Sequence, residues 1–313
     1  MTPIITEQRI LLSSSAAPTL ASEAHCLLKR QWQRLQKHVA RVLGHHEEAV
    51  ESLHQIRVTL RRMSTWVQVF QGSVKLPKPF KRIQKLASAL GQQRDLDVLL
   101  EILQEPCWEG IRPTQQVEWQ QLRANLSRRR AKAEDRSHQI LQDPAFLKLQ
   151  AACEEWLAHP RYTPQAQLPL QESLPHLLTP LLAKWLLQPG WRIPSVPHTR
   201  SETKQLHELR KAGKQLRYQL EFFADCYGKG VQEWLQALRT LQDQLGRFHD
   251  LQVLQEYLDP DSNLKEVLQA QQALTLQDWP LLRLQYLSPQ QQQQLYQMLL
   301  TPLSAETAQP ATQ

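Results

Sequence analysis

The stretch HQIRVTLRRMSTWVQVF, from His54 to Phe70, returns as HELRKAGKQLRYQLEFF from His207 to Phe223, 153 positions later. On an α-helix of about 3.6 residues per turn, the first copy puts His54, Arg57 and Arg61 on one stripe. Ile56, Leu60, Met63, Val67 and Phe70 fall on the other side. The second copy aligns His207, Arg210, Lys211, Lys214, Arg217 and Tyr218 within a sector of roughly 120°, opposite Leu209, Ala212, Leu216, Leu220 and Phe223. Each copy therefore reads as a core-packed helix with a comb of cations on its outer face. A solvated face normally interleaves acids with its cations, yet after Glu51 the first copy contains none. Like charges at i,i+4, such as Arg57 with Arg61 and Arg210 with Lys214, each cost roughly 0.2–0.5 kcal/mol. Repulsion accepted twice in one register points to an anion that offsets it.

A second phrase repeats as well. LGQQRDLDVL, from Leu90, recurs as LGRFHDLQVL, from Leu245, at an offset of 155. Two phrases in the same order at nearly one spacing indicate an internal duplication. Asp95 and Asp250 hold the same place in the two phrases, and are expected to accept hydrogen bonds from neighbouring arginine side chains or backbone and so hold the combs in place. Tyr218, on the cation stripe, is expected to offer its hydroxyl to a ligand.

Period-two alternation is never sustained and glycines number only nine in 313 residues, so the expected fold is all-α: two tandem antiparallel helical bundles related by a pseudo-twofold internal duplication. Residues 1–21 read as a disordered arm rather than a signal peptide, and 22–158 as the first bundle. Its helices are expected from Ser22, as N-cap, to Leu43, over the focal repeat, from Phe80 to Leu103, from Thr114 to Leu141 and from Pro144 to Ala158. Eight prolines between Pro160 and Pro197 mark 159–198 as a connector, with one helix at Pro175 to Leu187 belonging to the second bundle. Residues 199–300 form that bundle: the His207 helix, a helix from Val231 to Leu258, and two weaker ones, the last capped by Ser288. Residues 301–313 read as a disordered tail.

The net charge is +7 and the pI about 9.3, which favours a polyanionic partner. The charge is concentrated: Glu51 to Arg94 holds nine Lys or Arg against one acid, and Tyr257 to the end two against five. Arg30, Arg34, Lys37 and Arg41 make a further basic stripe, as do Lys78, Arg82 and Lys85, whereas Arg128 to Lys132 reads as a solvated face. Four scattered cysteines without a CxxC pair argue against a disulfide framework or a zinc cluster and fit a reducing cytoplasm. No run approaches the ~18 apolar residues of a membrane span. Signatures of nucleotide-binding loops, zinc hydrolases and serine hydrolases are missing, and the neighbours of His54 and His207 are cations that would repel a metal. No metal, cofactor or catalytic activity is expected.

HxxRVxxRRM at His54, LGxxRDLDVL at Leu90, HxLRKxxKxLRYxLEFF at His207 and LGxxxDLxVL at Leu245 together resemble the CHAD domain, a family named for its histidines and helices. The resemblance runs from about Ser22 to Leu300. It implies basic helices lining a shared channel that binds inorganic polyphosphate. By position the binding set would be His54, Arg57, Arg61, Arg62, Lys85, Arg94, His207, Arg210, Lys211, Lys214, Arg217 and Tyr218, with the stripe Arg30, Arg34, Lys37 and Arg41 beside it. Ser64 stands where the second copy has Arg217, and the region of Glu233 and Gln236 lacks the comb of Lys78, Arg82 and Lys85, so stronger binding is expected toward the first half. No segment resembles the triphosphate-tunnel domain that often accompanies CHAD domains, which suggests a stand-alone module. Association with polyphosphate granules in the cytoplasm and a role in phosphate storage would follow. Two other readings stay open: a nucleic-acid-binding helical protein, and an accessory or regulatory protein of a phosphate-metabolising enzyme. The cations around His54 and His207 should also push their pKa values down.

Overall fold

The computed structural model describes residues 17–44, 49–108 and 110–303. Among them the fold is all-α, with twelve α-helices and no strand beyond two isolated bridges. None of these helices is long and apolar enough to cross a membrane. The helices are α1 (Leu20–Leu43), α2 (Ala49–Phe70), α3 (Ile83–Ala89), α4 (Gly91–Ile102), α5 (Pro113–Gln142) and α6 (Pro144–Ala158). They continue as α7 (Leu170–Leu186), α8 (Arg200–Phe222), α9 (Lys229–Gln255), α10 (Leu264–Thr275), α11 (Trp279–Leu287) and α12 (Pro289–Leu300).

The focal repeats are the long helices α2 and α8, and their apolar sides behave as the periodicity requires. Ile56, Leu60, Met63, Leu209, Leu216 and Leu220 are fully shielded from solvent. Around Trp66 the first half packs an aromatic cluster of Phe70, Phe80 and Trp156, with ring centroids 5.4–6.1 Å apart. The second half has its own, of Trp185, Trp191, Trp279 and Tyr286. The indole N–H groups of Trp66, Trp191 and Trp279 donate to backbone carbonyls of Ala24, Trp185 and Ile193, so these rings are buried without stranding a donor. The Phe70 and Phe223 rings meet at 6.2 Å, and the largest buried cluster runs from α1 to α12 through both halves.

Several boundaries differ from the expected ones. Ser22 is not the cap of α1: Thr19 caps it, and Ser22 is the N3 partner of a capping box, so Leu20 and Ala21 belong to the helix rather than to the arm. The expected helix from Phe80 to Leu103 is three pieces, a 3₁₀ turn at Lys78–Arg82 followed by α3 and α4, broken at Leu90. α7 begins at Leu170, five residues before the expected start, and carries Pro175 and Pro180 in its interior. Leu170, Leu174, Leu178 and Leu182 line one face and are at most 1% exposed. Four such burials at about 1.5–3 kcal/mol each exceed two interior prolines at about 3. Three helices rather than two follow α9, and Ser288 caps the last as expected.

The connector is tied to the first half by backbone bonds Leu20 to Leu168, Leu170 to Pro18, Lys75 to Arg161 and Thr163 to Ser73. Within the expected tail, the Leu303 N–H bonds the Cys226 carbonyl; residues 304–313 and 1–16 lie outside the described residues.

Gly190 lies in the 3₁₀ turn Pro189–Arg192, where a Cβ would stand 2.6 Å from the Gln205 carbonyl oxygen and 2.9 Å from Leu209 Cβ, both on α8. Gly190→Ala should therefore destabilise by about 1–3 kcal/mol, the cost of an overpacked site. Urea unfolding measures it, and an unchanged midpoint would contradict so close a seat for α8.

Candidate functional site

α2 and α8 lie against each other, and α4 packs on α9. The cation stripes of α2 and α8 open onto two cavities of about 660 and 570 Å³. Both are lined by Arg57, Arg61, Asp95, Arg210, Lys214 and Tyr218, so the two are halves of one cleft. The first half of the cleft adds His207, Lys211, Lys184 and the α3 residues Gln84 and Ser88. The second adds Arg217 and the α9 residues Arg247, His249 and Asp250.

Several contacts fix the cations, among them ion pairs of Lys211 with Glu208 at 3.2 Å and of Arg247 with Glu105. Arg57 donates to Asp95 at 2.7 Å, as the duplicated aspartate led one to expect. Arg61 Nη1 donates to the Tyr218 hydroxyl at 2.8 Å, leaving that hydroxyl's own proton free to donate. Arg217 is held by Gln242 at 2.8 Å and Glu221 at 2.5 Å, with its guanidinium 4.4 Å from the Tyr218 ring centre. Gly91 is where Arg57 needs room, because a Cβ there would come within 3.1 Å of Arg57 Nε. This close approach accounts for the glycine of the first repeated phrase; at Gly246 nothing lies within 4 Å.

Other groups in the cleft are not balanced. The buried Arg210 Nε, His207 Nδ1 and His249 Nδ1 have no hydrogen-bond partner. Burial, reinforced by Arg210 and Arg61, pushes the Lys214 ammonium down to about 7. The His207 and His249 rings lie 4.6 Å apart, and burial with Arg210 behind it holds His249 down to about 3. The pKa of His207 is lowered by burial first and then by Arg210 and Lys211. For His54 burial again leads, so the expected direction holds but cations are the lesser cause. The carboxyl of Asp250 is shifted upward by burial, against the pull of Arg210 and Lys214. Its expected hydrogen bond, from an arginine or from backbone, is not among the side-chain bonds of the described residues.

The expected site residues do not all come together. His54 and Arg94 line a separate cavity of about 240 Å³ that shares only Arg57 with the cleft, and Arg94 is bonded to Glu101 at 2.7 Å. Arg62 turns toward Glu221, 3.9 Å away. Lys85 is exposed and lines neither half of the cleft, nor do Lys78 and Arg82. Arg30, Arg34 and Lys37 are exposed on α1, and Arg41 is half-buried there; none of the four lines the cleft. The lining itself does not favour the first half: α2 supplies two cations to the cleft and α8 with α9 the larger share. His249 and Arg247 escaped the sequence argument although the second phrase contained them: His249 stands at the place of Arg94, and Arg247 at that of Gln92.

Lys214 gives the cleft a stability signature. Its folded pKa of about 7 lies below the 10.5 of a free lysine, so between these values the unfolded chain binds more protons and the native state gains stability as pH rises. Below about pH 7 both states carry the charge, and the destabilisation is present in full. Lys214→Met should raise Tm at neutral pH by roughly 2–4 °C for each kcal/mol recovered, and the gain should shrink toward pH 10. A gain independent of pH would contradict the burial of this charge.

Comparison with known proteins converges on one fold. The crystal structure of the CHAD domain from the plant Ricinus communis is similar to this chain with a TM-score of 0.61 at 24% identity, over 92% of this chain and 94% of that one. PptA from Streptomyces chartreusis is similar with a TM-score of 0.64 at 17% identity, over 89% of this chain and 100% of that one. No curated protein sequence matches. The family model of the CHAD domain matches residues 26–259, which include α2, α4, α8 and α9 with both repeated phrases, and the chain belongs to the CHAD domain family.

Proposed function

We propose that this protein binds inorganic polyphosphate in the cleft between α2 and α8, using it as a channel for a linear, base-free polyanion. One observation carries the reading. Arg57, Arg61, Arg210, Lys211, Lys214 and Arg247 converge on one cavity system, and among the described residues Arg210 and Lys214 form no ion pair there, whereas Lys211 and Arg247 are paired with Glu208 and Glu105. Phosphoryl oxygens would supply counter-charge to Arg210 and Lys214, through charge-assisted bonds worth about 1.5–3 kcal/mol each.

Nucleic acid fits less well. Single strands are held by stacking bases on exposed aromatic faces. The aromatic ring lining the cleft is Tyr218, and the guanidinium groups of Arg217 and Arg61 already lie 4.4 and 5.7 Å from its centre. A base would have to displace them. Cations outnumber carboxylates along the cleft, an arrangement suited to holding a polyanion, and the protein is accordingly read as a binder rather than a catalyst. Cytoplasmic placement, association with polyphosphate granules and a part in phosphate storage belong to the same proposal. So does the descent of the two halves from one duplicated unit, supported by the matched places of Arg57 and Arg210 and of Asp95 and Asp250 in the repeated phrases.

Arg57→Gln with Arg210→Gln should weaken polyphosphate binding by roughly 100-fold, two charge-assisted contacts at about 1.5 kcal/mol each. Lys148→Gln with Lys229→Gln removes the same charge from exposed positions outside the cleft and should change little. Titration by calorimetry compares the pairs, with circular dichroism to verify folding. Equal losses would mean that net charge, not the cleft, holds the ligand.

A further inference from the structure

A third cavity, of about 410 Å³, opens beside the cleft. It shares Asp95, Leu99 and Val253 with the α9 half, and its outer wall is Arg129, Lys132 and Arg136 of α5 with Tyr257. The three cations stand at i, i+3 and i+7, one row on one helix, and all are exposed. A solvated face would pair them with acids, but Asp135, the exposed acid beside Lys132 and Arg136 on α5, forms no ion pair among the described residues, and other nearby acids are engaged elsewhere. Asp97 and Glu134 both hold Arg130, at 3.0 and 2.5 Å, and Asp95 holds Arg57. Arg129 instead bonds the neutral Asn125 at 3.2 Å and lies 5.2 Å from the centre of the Tyr257 ring. Among the described residues neither Lys132 nor Arg136 forms an ion pair. The expected solvated face is thus the wall of a cavity continuous with the cleft, and only its Arg130 is neutralised in place.

We propose that the Arg129, Lys132 and Arg136 row of α5 is a second anion-binding segment, which engages polyphosphate chains long enough to leave the cleft past Asp95. The inference rests on the polyphosphate reading and adds to it a dependence on chain length. Along α8 the cations from His207 to Arg217 span about 15 Å, at about 1.5 Å per residue, and the α5 row adds about 10 Å more. A chain of three phosphates is too short to occupy both. Asp95, at the junction, is matched by Arg57 and so does not bar a polyanion from crossing.

The test is Arg129→Gln with Lys132→Gln and Arg136→Gln, titrated with tripolyphosphate and with long-chain polyphosphate at fixed salt. The variant should lose roughly tenfold in affinity for the long chain, three exposed contacts of modest strength each, and nothing for tripolyphosphate. The slope of log affinity against log salt should also fall by about 2–3 for the long chain alone. Lys148→Gln with Arg200→Gln and Lys229→Gln removes the same net charge from exposed sites and should retain the wild-type preference for length. If the wild type binds both ligands and the variant is unchanged, or loses both equally, the α5 segment is overturned while the cleft stands. If the wild type binds neither ligand, the polyphosphate reading itself fails, and the segment with it.

Discussion

The structure is governed by positive charge that is partly buried and only partly paired. Arg210 and Lys214 sit on the inward stripe of α8, facing Arg57 and Arg61 of α2. Asp250 is nearby but itself driven toward its neutral form by burial. Such a cluster opposes folding, because burial and like charge both act against the ionised forms. The opposing force is on the other side of the same helices. Ile56, Leu60, Met63, Trp66 and Phe70 on α2, Leu209, Leu216 and Leu220 on α8, and Phe223 at its C-cap are fully buried, each large side chain contributing about 1.5–3 kcal/mol. Two tryptophan clusters anchor this layer, and the rigidity it imposes keeps the cations from relaxing outward into solvent.

Some of the arrangement was legible in the chain and some was not. The faces of α2 and α8 followed from the 3.6-residue period, since an apolar stripe five or six residues long has only one way to pack. That Asp95 would hold a neighbouring donor followed from the second repeated phrase, though not that the donor is Arg57. What could not be read was which cations meet across helices. Arg62 differs from Arg61 by one residue and therefore by about 100° around α2, enough to send it to Glu221 instead of the cleft. His54 lies one turn before Arg57, and that displacement carries it into a neighbouring cavity with Arg94. The cations of α1 form as clear a stripe as those of α8, yet line neither half of the cleft. Periodicity assigns a residue to a face of its own helix; only the packing of α1, α2, α8 and α9 decides what that face looks upon.

The breaks were illegible for a different reason. The interruption at Leu90 leaves its backbone in the right-handed helical region just before Gly91, whereas the passage of α7 through Pro175 and Pro180 reverses a local preference. In one case the guanidinium of Arg57 occupies space beside Gly91, and in the other four buried leucines outweigh two prolines. Both depend on partners distant in sequence. They also explain why the halves look less alike as structures than as sequences: α9 is a single helix where the first half is divided into α3 and α4.

The central claim is that the cleft is built for a polyanion without bases, and competition among polyanions tests it most directly. Long-chain polyphosphate, single-stranded RNA and duplex DNA should be compared at equal phosphate concentration and a single ionic strength, because affinity for any polyanion falls steeply with salt. A cleft whose cations are gathered in depth, and whose one aromatic face is already covered, predicts polyphosphate ahead of both nucleic acids by roughly tenfold or more, about 1.4 kcal/mol. Equal affinity for all three would contradict it and reduce the site to a generally basic surface.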